Sequence, residues 1–307
     1  MDKLFKMKSY LITLLLFGIL ILIAQMMIFP PLQSSGSVTI GKNPTVIAIA
    51  TVTPFRLYLP FIINVPTPIN DPIAYYPFEG NAQDVTGHNN DGQEYNGVTY
   101  VNGKIGQAAH FDGLDDYIII IPHSDVSHIA DFTISVWVYL ENWKHQANSN
   151  KDRQYIFDGH SHPNVINTDY YRPGFGLIYD GPALDSLDGQ AEEIHNFIHY
   201  YDDIYLEQNT PMPLKGGWHF MVFTRNGKYD YTYFDGQLVA STYANNTKSD
   251  LPLNMKHAWF IGTFAGNTPY YGDGKFNYSF YGLIDDLSIY QRALSATEIE
   301  FIYNQEN

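Results

Sequence analysis

Residues Phe132, Ile134, Val136 and Val138 alternate with Thr133, Ser135, Trp137 and Tyr139. That two-residue period predicts a strand with one apolar face. Tyr281–Tyr290 predicts a second, longer strand. On strict alternation, Leu283, Leu287 and Ile289 share the side of Asp285, while Phe280, Gly282 and Ile284 take the other. Strands are also expected over residues 73–78, 116–122, 217–224 and 229–234. Asp235-Gly236, set between β-prone runs, predicts a hairpin turn, because Gly readily takes positive φ. A helix start follows the last strand. Ser295 is a suitable N-cap, Glu298 completes a capping box, and Leu294 and Ile299 are spaced as a hydrophobic staple.

The pattern changes towards the N-terminus. Lys3, Lys6 and Lys8 precede an apolar run over residues 10–29, broken only by Thr13, Gly18 and Gln25. A helix of that length rises about 30 Å, enough to cross a bilayer, and the basic flank keeps its start inside. The run fits a signal-anchor or a cleaved signal peptide. Its length and the lack of an A-x-A site favour the anchor, with Ser34-Ser35-Gly36 the best cleavage candidate. Residues 30–72 hold prolines at 30, 31, 44, 54, 60, 66, 68 and 72, which predicts an extended linker. Within it, residues 55–64 are apolar enough to be an added edge strand or a segment docked on the domain. The expected organisation is therefore 1–29 anchor or signal, 30–72 linker and 73–307 a folded domain.

Composition narrows the class. Aromatics make up 16% of the 307 residues, with 25 Tyr, 24 Gly and 17 Pro, which suits short strands and many turns. With no cysteine, disulfides are excluded. Residues 1–70 carry five Lys/Arg and one Asp, leaving 12 basic and 31 acidic groups, formally −19, in residues 71–307. Such a field disfavours nucleic acid and anionic membrane surfaces and suits divalent cations. Membrane contact is expected only through the N-terminal run, and the domain is expected at the cell surface or secreted.

Five phrases, in order, carry a family resemblance. They are Tyr76-Pro77-Phe78-Glu79-Gly80 with Asp84-Val85-Thr86-Gly87, then Ala108-Ala109-His110-Phe111-Asp112-Gly113, then the strand at 132–139. The fourth is Gly217-Trp218-His219-Phe220 with the Asp235-Gly236 turn, and the fifth is the closing strand with its capped helix. The chain resembles LamG-like jellyroll domains, relatives of the concanavalin A-type lectins and glucanases. The resemblance implies an all-β antiparallel β-sandwich jellyroll with a short C-terminal helix. Residues 142–213 depart from it, being longer than the family's usual pair of strands and rich in His, Tyr and Asp.

The resemblance also implies a structural Ca²⁺ where the first loop meets the last strand. The matching carboxylates are Asp84 and Asp285, with Asp112 a weaker third. A buried Asp285 needs either a cation or several donors. His195 and His199 would share a face on a helix, where they could hold a transition metal; on a strand they lie too far apart. Catalytic relatives place acids as Glu-x-Asp-x-x-Glu on one strand, and residues 73–307 lack that pattern. Asp285-Asp286, on a regular strand, would point to opposite faces. No catalytic residue is assigned, and no enzyme is expected. Trp137 and Trp218 are expected in the core. Sugar rings stack on exposed aromatics, and the candidates are Tyr170, Tyr171, Tyr201 and Tyr271. The expected function is extracellular binding, to glycan or alternatively to another protein in adhesion, with glycoside hydrolysis a distant third.

Overall fold

The computed structural model describes residues 45–48, 61–64, 72–123, 131–141, 153–159, 174–180, 193–199, 205–211, 216–243, 258–264, 268 and 278–306. The chain divides into two compact units, Met1–Thr67 and Pro68–Asn307. In the first, Thr45–Ala48 (β1) and Phe61–Asn64 (β2) pair antiparallel. The apolar run 10–29 lies outside the described residues. Among those that are described, no helix is long and apolar enough to cross a membrane.

The second unit is a two-sheet antiparallel sandwich with a short C-terminal helix. Its strands are Pro72–Tyr76 (β3), Gly92–Tyr95 (β4), Thr99–Asn102 (β5), Gln107–Asp112 (β6), Tyr117–Ile120 (β7) and Phe132–Leu140 (β8). Then come Arg153–Asp158 (β9), Gly174–Asp180 (β10), Glu193–His199 (β11) and Tyr205–Pro211 (β12). Trp218–Asn226 (β13), Tyr229–Phe234 (β14), Gln237–Tyr243 (β15), Trp259–Ile261 (β16) and Tyr281–Tyr290 (β17) complete the set. One sheet runs β12-β11-β10-β9-β16-β7-β4, the other β15-β14-β13-β8-β17-β6-β5, with β3 also on β17.

Phe132, Ile134, Val136 and Val138 line the core between the sheets, as their alternation predicts. They meet Phe157 and Phe175 from the facing sheet, with the Phe132 and Phe175 ring centroids 4.5 Å apart. Each such side chain contributes roughly 1.5–3 kcal/mol by leaving water. The Asp235-Gly236 turn forms as expected, with φ of 48° and 76°. The described residues of the long middle segment form strands. β10, β11 and β12 continue the seven-stranded sheet from β9 as an antiparallel meander. The alternative of a helix bearing His195 and His199 is thereby excluded.

The closing strand departs from strict alternation. One of its edges pairs with β8 throughout; the other pairs first with β6, through residue 284, and then with β3, from Leu287. At the changeover the ladder with β8 shifts register between Asp285 and Ser288, and Asp286 has φ 45°. This β-bulge inserts one residue, so the faces exchange beyond it. Ile284, Leu287 and Ile289 all reach the core. Asp285 stands opposite Trp137 on the outer face. Strict alternation placed Asp285 with Leu287 and Ile289 and put Asp286 on the opposite face. The extra residue reverses both expectations.

Ala296–Glu306 (α1) starts where the sequence predicts. Ser295 Oγ accepts from Glu298 N at 3.3 Å, and Glu298 Oε2 accepts from Ser295 N at 2.8 Å. Leu294 and Ile299 are buried on the outer face of the eight-stranded sheet with Trp137, Phe220 and Val222. Trp137 is therefore core, as expected, but of a second, smaller cluster under the helix; Trp218 packs half-buried against it. We expect Ser295→Ala to cost about 1 kcal/mol, the usual worth of a Ser cap. Urea denaturation measures it, and an unchanged midpoint would show that the cap contributes nothing here.

Candidate functional site

The β13–β14 and β14–β15 hairpins place alternate residues of β14 on opposite faces. Thr232 and Phe234 point inward: Asn196 Nδ2 on the facing sheet donates to Thr232 Oγ1, and Phe234 joins the core. Tyr229, Tyr231 and Tyr233 therefore project from the outer face. Tyr233 and part of Tyr231 pack into the cluster beneath α1. Tyr229 passes beyond that cover and is 48% exposed. Its cross-strand partner on β15 is Tyr243, itself 50% exposed. The Tyr229 and Tyr243 ring centroids lie 4.9 Å apart, and Tyr229 and Tyr231 lie 6.1 Å apart with planes 22° from parallel. Ser241, opposite Tyr231, is exposed beside them. The result is an aromatic strip on one sheet face, apolar along its rings and polar at its hydroxyls.

Its electrostatics are set from behind. Arg225 and Asp230 are cross-strand partners with their side chains buried. Arg225 Nε donates to Gly227 O at 3.0 Å, so the guanidinium is held inside. Burial pushes the Asp230 carboxyl up to about 7, and Arg225 opposes that rise.

The expected metal carboxylates fall in three places. Asp84 is almost fully buried and organises the 81–92 turn. Its Oδ1 accepts from Tyr75 N, Thr86 N and Thr86 Oγ1 at 3.1, 3.0 and 2.7 Å, and its Oδ2 accepts from Asn90 N at 3.1 Å. Asp285, wholly buried, accepts from Ile105 N at 3.0 Å and from Asp286 N at 2.9 Å. Several donors thus satisfy each carboxylate in its own setting. Burial first, then the neighbouring Asp286 charge, push Asp285 up to about 7, while the backbone donors resist. Asp286 in turn accepts from the Tyr75 hydroxyl.

Asp112 sits with Asp115 and Asp116 in the β6–β7 turn, where one carboxylate oxygen from each lies within 4.8 Å of the others. Among the described residues this is the one group of three that could hold a metal ion. Sequence reading had Asp112 but neither neighbour, because the turn that converges them leaves no fixed spacing. Asp112 N donates to Asp116 Oδ2 at 2.9 Å, and burial raises the Asp116 pKa.

His195 is buried on β11, its Nδ1 3.4 Å from Asp180 Oδ2, and Asp180 also accepts from Arg153 Nε at 3.0 Å. Tyr170, Tyr171, Tyr201 and Tyr271 lie outside the described residues. Tyr229, Tyr231 and Tyr243 were not among the sequence-derived candidates. The signal was present in Tyr229-Asp230-Tyr231-Thr232-Tyr233, whose period of two puts three rings on one face. Which face meets solvent is not written in that period.

The family model described as "Concanavalin A-like lectin/glucanases superfamily" matches residues 111–300. No curated protein matches the sequence. Among solved structures, the binding domain of Paraclostridial Mosquitocidal Protein 1 superposes with TM-score 0.55 at 17% identity, over 77% of this chain and 52% of that one. Domain 4 of AbnA, a GH43 extracellular arabinanase from Geobacillus stearothermophilus solved with arabinotriose, gives 0.51 at 19%, over 76% and 98%. The ligand binding domain of botulinum neurotoxin serotype D, solved with N-acetylneuraminic acid, gives 0.53 at 15%, over 77% and 51%. The chain thus spans about half the length of the toxin domains it matches. At these identities the likeness is one of fold.

Proposed function

This chain belongs to the concanavalin A-like lectin/glucanases superfamily, and we propose that its C-terminal domain is an extracellular carbohydrate-binding module. The observation that carries this reading is the pair of cross-strand tyrosines, Tyr229 and Tyr243, each about half exposed on one sheet face. Exposed Tyr offers a rigid ring to the C–H face of a sugar and a hydroxyl to its polar edge. A surface of Leu and Ile would serve protein burial equally well, but it would leave sugar hydroxyls unsatisfied.

Support also comes from the solved relatives of this fold, one recorded with arabinotriose and one with N-acetylneuraminic acid. Extracellular placement draws on the same arabinanase domain and on the apolar N-terminal run. The role proposed is binding rather than hydrolysis, since no strand in residues 73–307 carries Glu-x-Asp-x-x-Glu.

The test is a glycan array probed with the purified full-length chain and with Tyr229→Ala/Tyr243→Ala. Saturable binding by the parent and its loss, on the order of tenfold or more in affinity, in a variant with unchanged circular dichroism is the expected result. A blank array from folded parent protein refutes the reading and leaves protein adhesion in its place.

A further inference from the structure

We infer that the tyrosine strip of β14 and β15 takes uncharged glycan and turns away glycans that bear carboxylate or sulfate. This inference rests on the carbohydrate-binding reading and assigns that function its ligand class and contact surface.

Acidic sugars are held by guanidinium or ammonium groups, ideally by a bidentate Arg. Neither β14 nor β15 contains a Lys or an Arg. The nearest guanidinium along the chain, Arg225, is 1% exposed and sits on the inner side of the sheet with Asp230. The β13–β14 turn that opens the strip carries one basic residue, Lys228, and beside it the carboxylate of Asp131, whose Oδ1 accepts from Gly227 N at 2.6 Å. That end of the strip is therefore formally balanced. Around it, residues 71–307 stand at −19 formally. Among the described residues of the strip and its turn, an approaching anion meets no cation that a neighbouring carboxylate does not offset, whereas a neutral sugar meets three rings and the exposed Ser241 hydroxyl at no electrostatic cost.

Charge also predicts the salt response. Stacking and neutral hydrogen bonds are insensitive to ionic strength, while recognition of an anion weakens steeply as salt screens it.

The experiment compares neutral arabino-, xylo- and cello-oligosaccharides with oligogalacturonate, sialyllactose and heparin fragments. Calorimetry uses the full-length chain at low and at high salt. Three proteins are compared: the parent, Tyr229→Ala/Tyr243→Ala and Ser241→Arg. The expected outcome is a neutral ligand preferred by about tenfold or more and unmoved by salt. The double variant loses it, and Ser241→Arg gains measurable, salt-sensitive affinity for an acidic glycan.

Preference of the parent for an acidic glycan overturns the inference and leaves carbohydrate binding standing. So does neutral binding that survives the double variant. No binding of either class by folded parent protein overturns the carbohydrate reading itself.

Discussion

Gly282→Ala will leave little folded protein. Gly282 lies in β17, flanked by Leu140 of β8 on one side and Phe111 of β6 on the other. A Cβ built there falls 2.1 Å from the carbonyl oxygen of Tyr139. That oxygen belongs to the backbone of the adjacent central strand, so no rotamer change relieves the contact; the two strands must part. The φ of 155° adds a conformation that L-residues rarely take. Close backbone approach of this kind is a recognised reason for Gly within a strand. Losing it at the centre of the sheet is expected to cost about 4 kcal/mol or more, against a total stability of roughly 5–15 kcal/mol for a domain. Gly217→Ala is the control, because a Cβ there meets nothing within 4 Å. Urea titrations followed by tryptophan fluorescence decide the matter. If both alanine variants unfold at the parent's midpoint, strand spacing around Gly282 is not what the geometry indicates.

The domain will also lose stability as pH rises from 5 to 8. Asp230 and Asp285 are each pushed up to about 7, chiefly by burial. Their unfolded values are those of an ordinary Asp, near ~3.9. The folded state thus holds these two protons, which the unfolded state releases, and Asp116, also raised by burial, acts in the same sense. The stability they contribute is complete below about pH 4 and is lost as pH climbs through 7. The slope in between is about 1.4 kcal/mol per pH unit for each group. Glu298 acts in the opposite sense, since Arg292 and Ser295 hold its carboxyl below its ordinary 4.5; its contribution is lost only at pH below this window. Midpoints measured in EDTA at pH 5, 6.5 and 8 should therefore fall steadily. Asp230→Asn should remove about half of the fall, because the amide imitates the protonated acid beside Arg225. A flat profile, or one that rises with pH, would mean that both carboxyls ionise normally in the folded chain.

The bulge at Asp285-Asp286 marks where reading from sequence stops working. Alternation holds as long as the ladder gains no residue. β8 keeps its register with β13 from Phe132 to Tyr139, and the alternation assigns its inner and outer residues correctly. On β17 one extra residue reverses every assignment beyond it. The bulge coincides with the handover of one edge from β6 to β3, two segments that lie some thirty residues apart in the chain. A strand's own sequence cannot register that event.

By itself the sequence determined the all-β class and the local devices. Period-two alternation specified strands with one buried face, because burial on one face is a property of each strand alone, and the sandwich was what the family resemblance implied. Ser295, Glu298, Leu294 and Ile299 specified the start of α1, and Asp235-Gly236 specified its turn, because caps and tight turns close within a few residues. Tertiary structure alone decided the rest. It converged Asp112, Asp115 and Asp116, buried Asp84 under four donors, and made His195 part of a strand. It also chose which tyrosines meet water. Tyr229 and Tyr233 share a strand face, yet Tyr233 is buried with Phe220, Val222 and Ile299 under α1, while Tyr229 lies beyond that cover. The physical reason is common to all of these. Exposure and convergence depend on what a distant part of the chain places against a residue, and long-range packing leaves no period in the sequence.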